Sequence, residues 1–158
     1  MIRKLRAVAA MVVVFSAIGW AQQNAMIGTW KLNVAKSKYG TAQPPQSQTR
    51  TVVAQGKGAK ITFEGVAADG SKIAYSYSTL YDGADSPVAG VGQANGADTI
   101  AIKQIDSNNV TATLKKAGKV VATTRTSVTK DGKTTTIESQ GVGADGKPRN
   151  TTSVYDKQ

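Results

Sequence analysis

Cysteine and histidine are both absent from the 158 residues. Without cysteine no disulfide can staple the fold, so an exported domain must rest on its core and its hydrogen-bonded ladder alone. The attachment point of a bacterial lipoprotein is missing for the same reason. Without histidine, His-based triads, Cys–His dyads and ordinary zinc sites are excluded together, and no metal site is expected. Acidic residues are scarce as well: 10 Asp and Glu stand against 20 Lys and Arg, a net charge of +10. The lysines nevertheless scatter beside turns, at Lys57 and Lys60, Lys115, Lys116 and Lys119, and Lys130 and Lys133. Aromatic residues, only 6% of the chain, do not interleave with them as a stacking platform for single strands requires. Nucleic acid is therefore not an expected partner, and the lysines read as solubility and protection of strand edges.

One long apolar run is present, and it opens the chain. Arg3, Lys4 and Arg6 precede a charge-free stretch from Ala7 to Ile18, and Gly19-Trp20-Ala21 places small residues at −3 and −1 of a signal-peptidase site. From Ala7 to Ala21 a helix would reach roughly 22 Å at about 1.5 Å per residue, short of a hydrocarbon core about 30 Å thick. The pattern predicts a cleavable secretory signal over 1–21, followed by one domain over 22–158 with no integral membrane span after processing. The expected location is exported, periplasmic or extracellular, and soluble.

After residue 26 helical periodicity is hard to find. Short runs rich in Val, Ile, Thr and Tyr recur instead, and they predict strands over 28–34, 48–55, 60–66, 72–81, 98–105, 109–115, 120–129, 134–140 and 150–156, with a short one over 86–91. "AADGSK" (67–72), "KAGK" (116–119), "KDGK" (130–133), "ADGKP" (144–148) and "DSNN" (106–109) are tight reversals between them. No gap is long enough for a crossover helix, so consecutive strands should pair antiparallel. The expected fold is all-β: an up-and-down meander barrel of about 8–10 strands, preferred over a sandwich because long Greek-key connections are lacking.

Gly28-Thr29-Trp30 is a G-x-W signature on the first strand, and the chain ends in "TTSVYDKQ". "GTWKL" resembles the opening of the calycins, the lipocalin and fatty-acid-binding barrels, and the ending is similar to the "TRxYEK" close of fatty-acid-binding proteins. The "YDG", "VTKDGKT" and "VYDKQ" stretches also resemble small exported lipocalin-like bacterial proteins of unassigned function. The resemblance implies that Trp30 plugs the closed end of the barrel and that Gly28 lets the chain pass close by. There are departures. Residues 35–48, interrupted by Gly40, Pro44 and Pro45, leave no room for a two-helix lid. Tyr155 matches the tyrosine of the family's carboxylate clamp, but the arginine position reads Ser153, and a T-D-Y motif is missing. A particular fatty-acid or retinoid ligand is thus not implied.

Ile73, Tyr75, Tyr77, Thr79 and Tyr81 share one face of their strand, suited either to fill a narrow barrel or to line a cavity with hydroxyl tips. Arg125 sits mid-strand, where it either faces solvent or points inward toward an anion. Arg149, just before the last strand, matches by chain order the arginine of lipocalins, and the resemblance implies that it covers Trp30 by a cation–π contact. Asp69, Asp82, Asp131 and Asp145 each precede a glycine, Asp106 precedes "SNN", and Glu64 and Glu138 alternate against apolar neighbours. Turn chemistry and solvent account for all of them, so no catalytic carboxylate pair is expected. The glycines of "VAGVGQANGAD" (88–98) lack a phosphate-loop pattern, and no cofactor is expected.

The function expected from these features is non-enzymatic binding of a small lipophilic ligand inside the barrel. Phe63, Tyr75, Tyr77, Arg125 and Tyr155 are the expected contacts, the arginine and tyrosines meeting any acidic head group. The competing expectation is a filled barrel that binds an envelope protein or inhibits an enzyme through loops 35–48 and 82–98.

Overall fold

The computed structural model describes residues 24–143 and 146–158. The expected leader and its cleavage site lie outside the described residues, as do Ala144 and Asp145 of one predicted turn. The strands are β1 (Gly28–Leu32), β2 (Ser47–Gln55), β3 (Gly58–Val66), β4 (Lys72–Thr79), β5 (Asp82–Pro87), β6 (Ala89–Val91), β7 (Thr99–Gln104), β8 (Asn109–Lys116), β9 (Lys119–Val128), β10 (Thr134–Val142) and β11 (Pro148–Lys157). Two 3-10 turns, Val34–Lys36 and Ala94–Gly96, complete the regular structure of the described residues. No helix among them is long and apolar enough to cross a membrane.

All pairings between these strands are antiparallel, in the order β5-β7-β8-β9-β10-β11-β1-β2-β3-β4-β6. The first strand meets the last, with Trp30 opposite Lys157 and Leu32 opposite Tyr155. The ends of the order, β5 and β6, are consecutive stretches of one segment: β5 pairs with β7, and β6 pairs with β4. Residues 82–91 thus bridge the seam and leave a nearly closed barrel. The lidless all-β meander expected from the sequence is the fold observed. The count of eleven exceeds the expected range because the seam segment pairs on two sides. Its first half, "DGADSP", carries no apolar alternation that would announce a strand. Where β6 hugs β4, Gly90 has a φ of +120°, and a Cβ there would lie 2.1 Å from the Ala74 carbonyl oxygen. Only glycine fits that approach.

The two ends of the barrel differ. At one end Trp30 is 0% exposed, and its indole N–H donates to the Met26 carbonyl at 3.0 Å. Met26, Val52, Ile61 and Thr135 are buried around it almost as completely. Lys157 places its ammonium 5.1 Å from the indole centroid. Gly28, with φ at +143°, passes so close that a Cβ would come within 2.8 Å of the Lys157 chain. The cation over Trp30 is therefore Lys157, which corrects the expectation for Arg149. Arg149 lies opposite Gly141, several residues along β11 toward the other end of the barrel. The two strands that meet at Trp30 are β1 and the end of β11, so geometry hands the contact to the terminal lysine. Asp156 finishes the closure by accepting from Asn33 Nδ2 at 2.7 Å and pairing with Lys36 at 3.1 Å.

At the opposite end stand residues 39–46, the 67–71 turn, residues 92–98 and the β8–β9 turn. Among the described residues no α-helix covers it; the 33–46 loop is tied down by a bridge between Lys38 and Thr152. The four described turn aspartates cap their own turns: Asp69, Asp82, Asp106 and Asp131 accept from the amides of Ser71, Ala84, Asn108 and Lys133 at 2.8–3.0 Å. Glu64 and Glu138 are exposed.

Candidate functional site

Strand alternation sends every second side chain inward, and in the half of the barrel above Trp30 those side chains do not fill the space. They enclose a cavity of about 540 Å³. It opens past Tyr39, Gln43 and Pro45 of the 33–46 loop and Ala68 and Asp69 of the β3–β4 turn. The volume falls within the range of about 300–1,000 Å³ typical of small-molecule sites.

All five tyrosines of the chain, Tyr39, Tyr75, Tyr77, Tyr81 and Tyr155, line this one cavity. Phe63 stands among them, stacked on Tyr75 with centroids 4.9 Å apart and tilted toward Tyr77 at 6.5 Å. Cross-strand register explains the cluster, since Phe63 lies directly opposite Tyr75 on β4. Tyr155 donates to Gln48 Oε1 at 2.5 Å, and the Tyr39 hydroxyl meets Ser153 Oγ at 3.0 Å. Burial drives the phenols away from ionisation: Tyr75 and Tyr155 are pushed well above the ordinary tyrosine value, and Tyr77 up to about 12. They are hydrogen-bonding phenols at any ordinary pH.

The structure brings Phe63, Tyr75, Tyr77 and Tyr155 to the cavity and leaves Arg125 out. Arg125 is exposed, on the outer face with Thr123, while Thr124 and Thr126 turn inward. A bulge opposite Leu114 and Lys115 puts Val120 out of step, and from Ala122 onward the alternation is regular, with Ala122, Thr126 and Val128 buried and Arg125 on the opposite face.

The inward cation is instead Arg50 on β2, a residue that reading the sequence passed over. Arg50 is only 5% exposed, lies opposite Trp30 on one side and Phe63 on the other, and lines the cavity. Its Nη1 is buried without a hydrogen-bond partner, and no carboxylate among the described residues pairs with it. Its positive field reaches Tyr75, Tyr77, Tyr81 and Tyr155 and opposes the effect of burial on each. A buried, unpaired cation costs several kcal/mol. Arg50 alternates with Val52, which the strand pattern does contain. Val53 beside it is equally apolar, however, and leaves the inward face of β2 undecided from sequence.

The walls differ in chemistry. β3 and β4 contribute Ile61, Phe63 and Ile73, and β7 and β8 contribute Ile100, Ile102 and Leu114. β9, β10 and β11 contribute hydroxyls: Thr124, Thr126, Ser139, Thr151 and Ser153.

No protein-family description matches the chain, and no curated sequence does. Solved structures do. The zebrafish ileal bile acid-binding protein complexed with cholic acid aligns over 85% of this chain and 99% of its own, at 13% identity and a TM-score of 0.52. The chain has a calycin-like barrel fold. A redesigned β-barrel, mFAP1, bound to DFHBI aligns over 87% of this chain and 98% of its own at 14% identity and a TM-score of 0.45. The siderocalin Ex-FABP, at 8% identity and a TM-score of 0.38, covers 85% of this chain and 71% of its own.

Proposed function

We propose that this barrel is an exported carrier that holds a small, mainly apolar acid in its interior, without catalysing a reaction. The observation that carries the reading is Arg50: a buried cation with an unpartnered Nη1, facing a cavity of about 540 Å³. A carboxylate or similar anion entering the cavity meets that guanidinium and nearby phenols while its apolar part lies against Ile73, Ile100 and Ile102. The fold shared with a bile acid-binding protein supports the same reading, as does the resemblance of "GTWKL" and "TTSVYDKQ" to lipid-binding barrels. Tyr75, Tyr77 and Tyr155 then orient the head group, Phe63 packs on the apolar part, and Arg50 takes the part expected of Arg125. Removal of residues 1–21 before release across the inner membrane belongs to this proposal. An N-terminus at Gln22 in the exported protein tests it. The rival reading, a filled barrel working through loops 35–48 and 82–98, does not account for the cavity.

The experiment is a titration with palmitate and with its methyl ester, followed by tryptophan fluorescence and calorimetry. A charge-assisted hydrogen bond is worth about 1.5–3 kcal/mol, so the acid should bind roughly tenfold to a hundredfold more tightly than the ester. Arg50→Met should erase that preference while leaving the ester's affinity in place. Absence of saturable binding by either molecule would overturn the reading.

A further inference from the structure

The hydroxyl wall of the cavity has an order that ligand binding in general does not require. Thr124 on β9 lies directly opposite Ser139 on β10, and Ser139 lies directly opposite Thr151 on β11. All three line the cavity. They form a straight row across three strands, with neighbours about 5 Å apart. One step deeper the row is Thr126, Ile137 and Ser153, so two more hydroxyls flank the first three. Ser153 Oγ is engaged by Tyr39, but Thr124, Thr126, Ser139 and Thr151 have no side-chain hydrogen bond to any described residue. About halfway round the strand order from β10 lie β3 and β4, whose cavity-lining residues are Ile61, Phe63, Ile73, Tyr75 and Tyr77. The cavity thus has a wall of aliphatic side chains and aromatic rings facing a wall in which aliphatic hydroxyls surround Ile137.

Resting on the reading of the cavity as an anion-binding lipophile site, we propose that the ligand is facially amphipathic. It is an acid whose apolar face lies on β3, β4, β7 and β8 and whose other face carries several hydroxyls against the Thr124–Ser139–Thr151 row. A simple alkyl chain would leave those hydroxyls facing hydrocarbon, and each unsatisfied one would weaken binding. Hydroxyls spaced along a rigid ring system satisfy the row, and so do those of an acidic sugar on an alkyl chain. The row is a specificity element, while Arg50 supplies the charge contact common to all acids.

The test uses matched ligands and a silent control. Cholate and unsubstituted cholanate share one ring skeleton and one carboxylate and differ in three hydroxyls; dodecyl glucuronide and laurate make the same comparison on a sugar. The hydroxylated member of at least one pair should bind about tenfold more tightly, and the pair that shows it separates a ring acid from a glycolipid. The triple variant Thr124→Val, Ser139→Ala, Thr151→Val keeps shape and strand propensity; it should abolish that preference and leave cholanate or laurate binding unchanged or tighter. Thr123→Val, on the exposed face of the same strand, should change nothing. Melting temperatures check that each variant is folded. Equal affinities within both pairs, or a preference that survives the triple variant, overturn the inference while the anion-binding reading stands. If none of the four acids binds, both are overturned.

Discussion

The half of the barrel around Trp30 and the half above it are built from the same strands with the same alternation, yet one is solid and the other hollow. Around Trp30 the inward residues are bulky and dry: Met26 and Val52 are each about 1% exposed, and the indole spends its one polar atom on a backbone carbonyl. Higher up, the inward row across β8 to β11 reads Ala112, Thr124, Ser139 and Thr151. An eleven-stranded sheet is too wide for such small side chains to meet across its middle, so a void results. The difference lies in volume and polarity, not in backbone. Closure is a property of the sheet, and hollowness is a choice of side chains at every second position.

Removing the plug breaks the comparison hardest. Trp30→Ala should lower stability by about 3–5 kcal/mol, because both transfer energy and packing are lost in the half with no spare space. Urea denaturation followed by circular dichroism measures it. A loss below about 1 kcal/mol would mean that the closed end does not depend on the indole. A substitution in the hollow half should have the opposite sign. Arg50→Met removes a buried cation that lacks a carboxylate partner, and replacing such charges by apolar groups of similar volume stabilises by about 1–4 kcal/mol. The ligand-free protein should therefore unfold at higher urea than the parent. Lower stability would mean that the guanidinium is satisfied where it stands.

The same contrast explains what could be read from sequence. The solid half was legible because its signals are local: Gly28 and Trp30 two apart, and the turn pair Asp131-Gly132 beside the last strand. The strands followed from the period-two pattern and the turns. The inward face of β4 followed as well, since Ile73, Tyr75 and Tyr77 repeat every second residue, while the choice between filling and lining stayed open. What failed was the inward face of strands apolar or polar on both sides. β2 has Val52 and Val53 side by side, which hid Arg50, and β9 opens with Val120, Val121 and Ala122 in succession, which left the face of Arg125 undecided. The hydroxyl row was illegible for a different reason. Thr124, Ser139 and Thr151 belong to three strands, and only the pairing register places them in line.

The last and smallest effect is invisible near neutral pH and belongs to the hollow half, where every tyrosine of the chain sits. Burial raises Tyr77 from the ordinary value of about 10 to about 12, and holds Tyr75 and Tyr155 well above the ordinary value too. An unfolded chain releases these phenolic protons near pH 10, while the folded barrel holds them. The folded state therefore binds more protons over that interval, and stability falls as pH rises through it. The contribution is fully present below about pH 10 and, for Tyr77, is lost as pH rises through about 12. The parent is compared with Tyr77→Phe, which keeps the ring and removes the ionising group. The variant should show a shallower loss of stability over that interval and no change in slope below it. Phenolate absorbance recorded on the folded protein should lag behind that of the urea-unfolded chain by one to two pH units or more. Coincident titrations would mean that the cavity admits bulk water freely to its phenols, and the contrast between a dry plug and a screened chamber would then disappear.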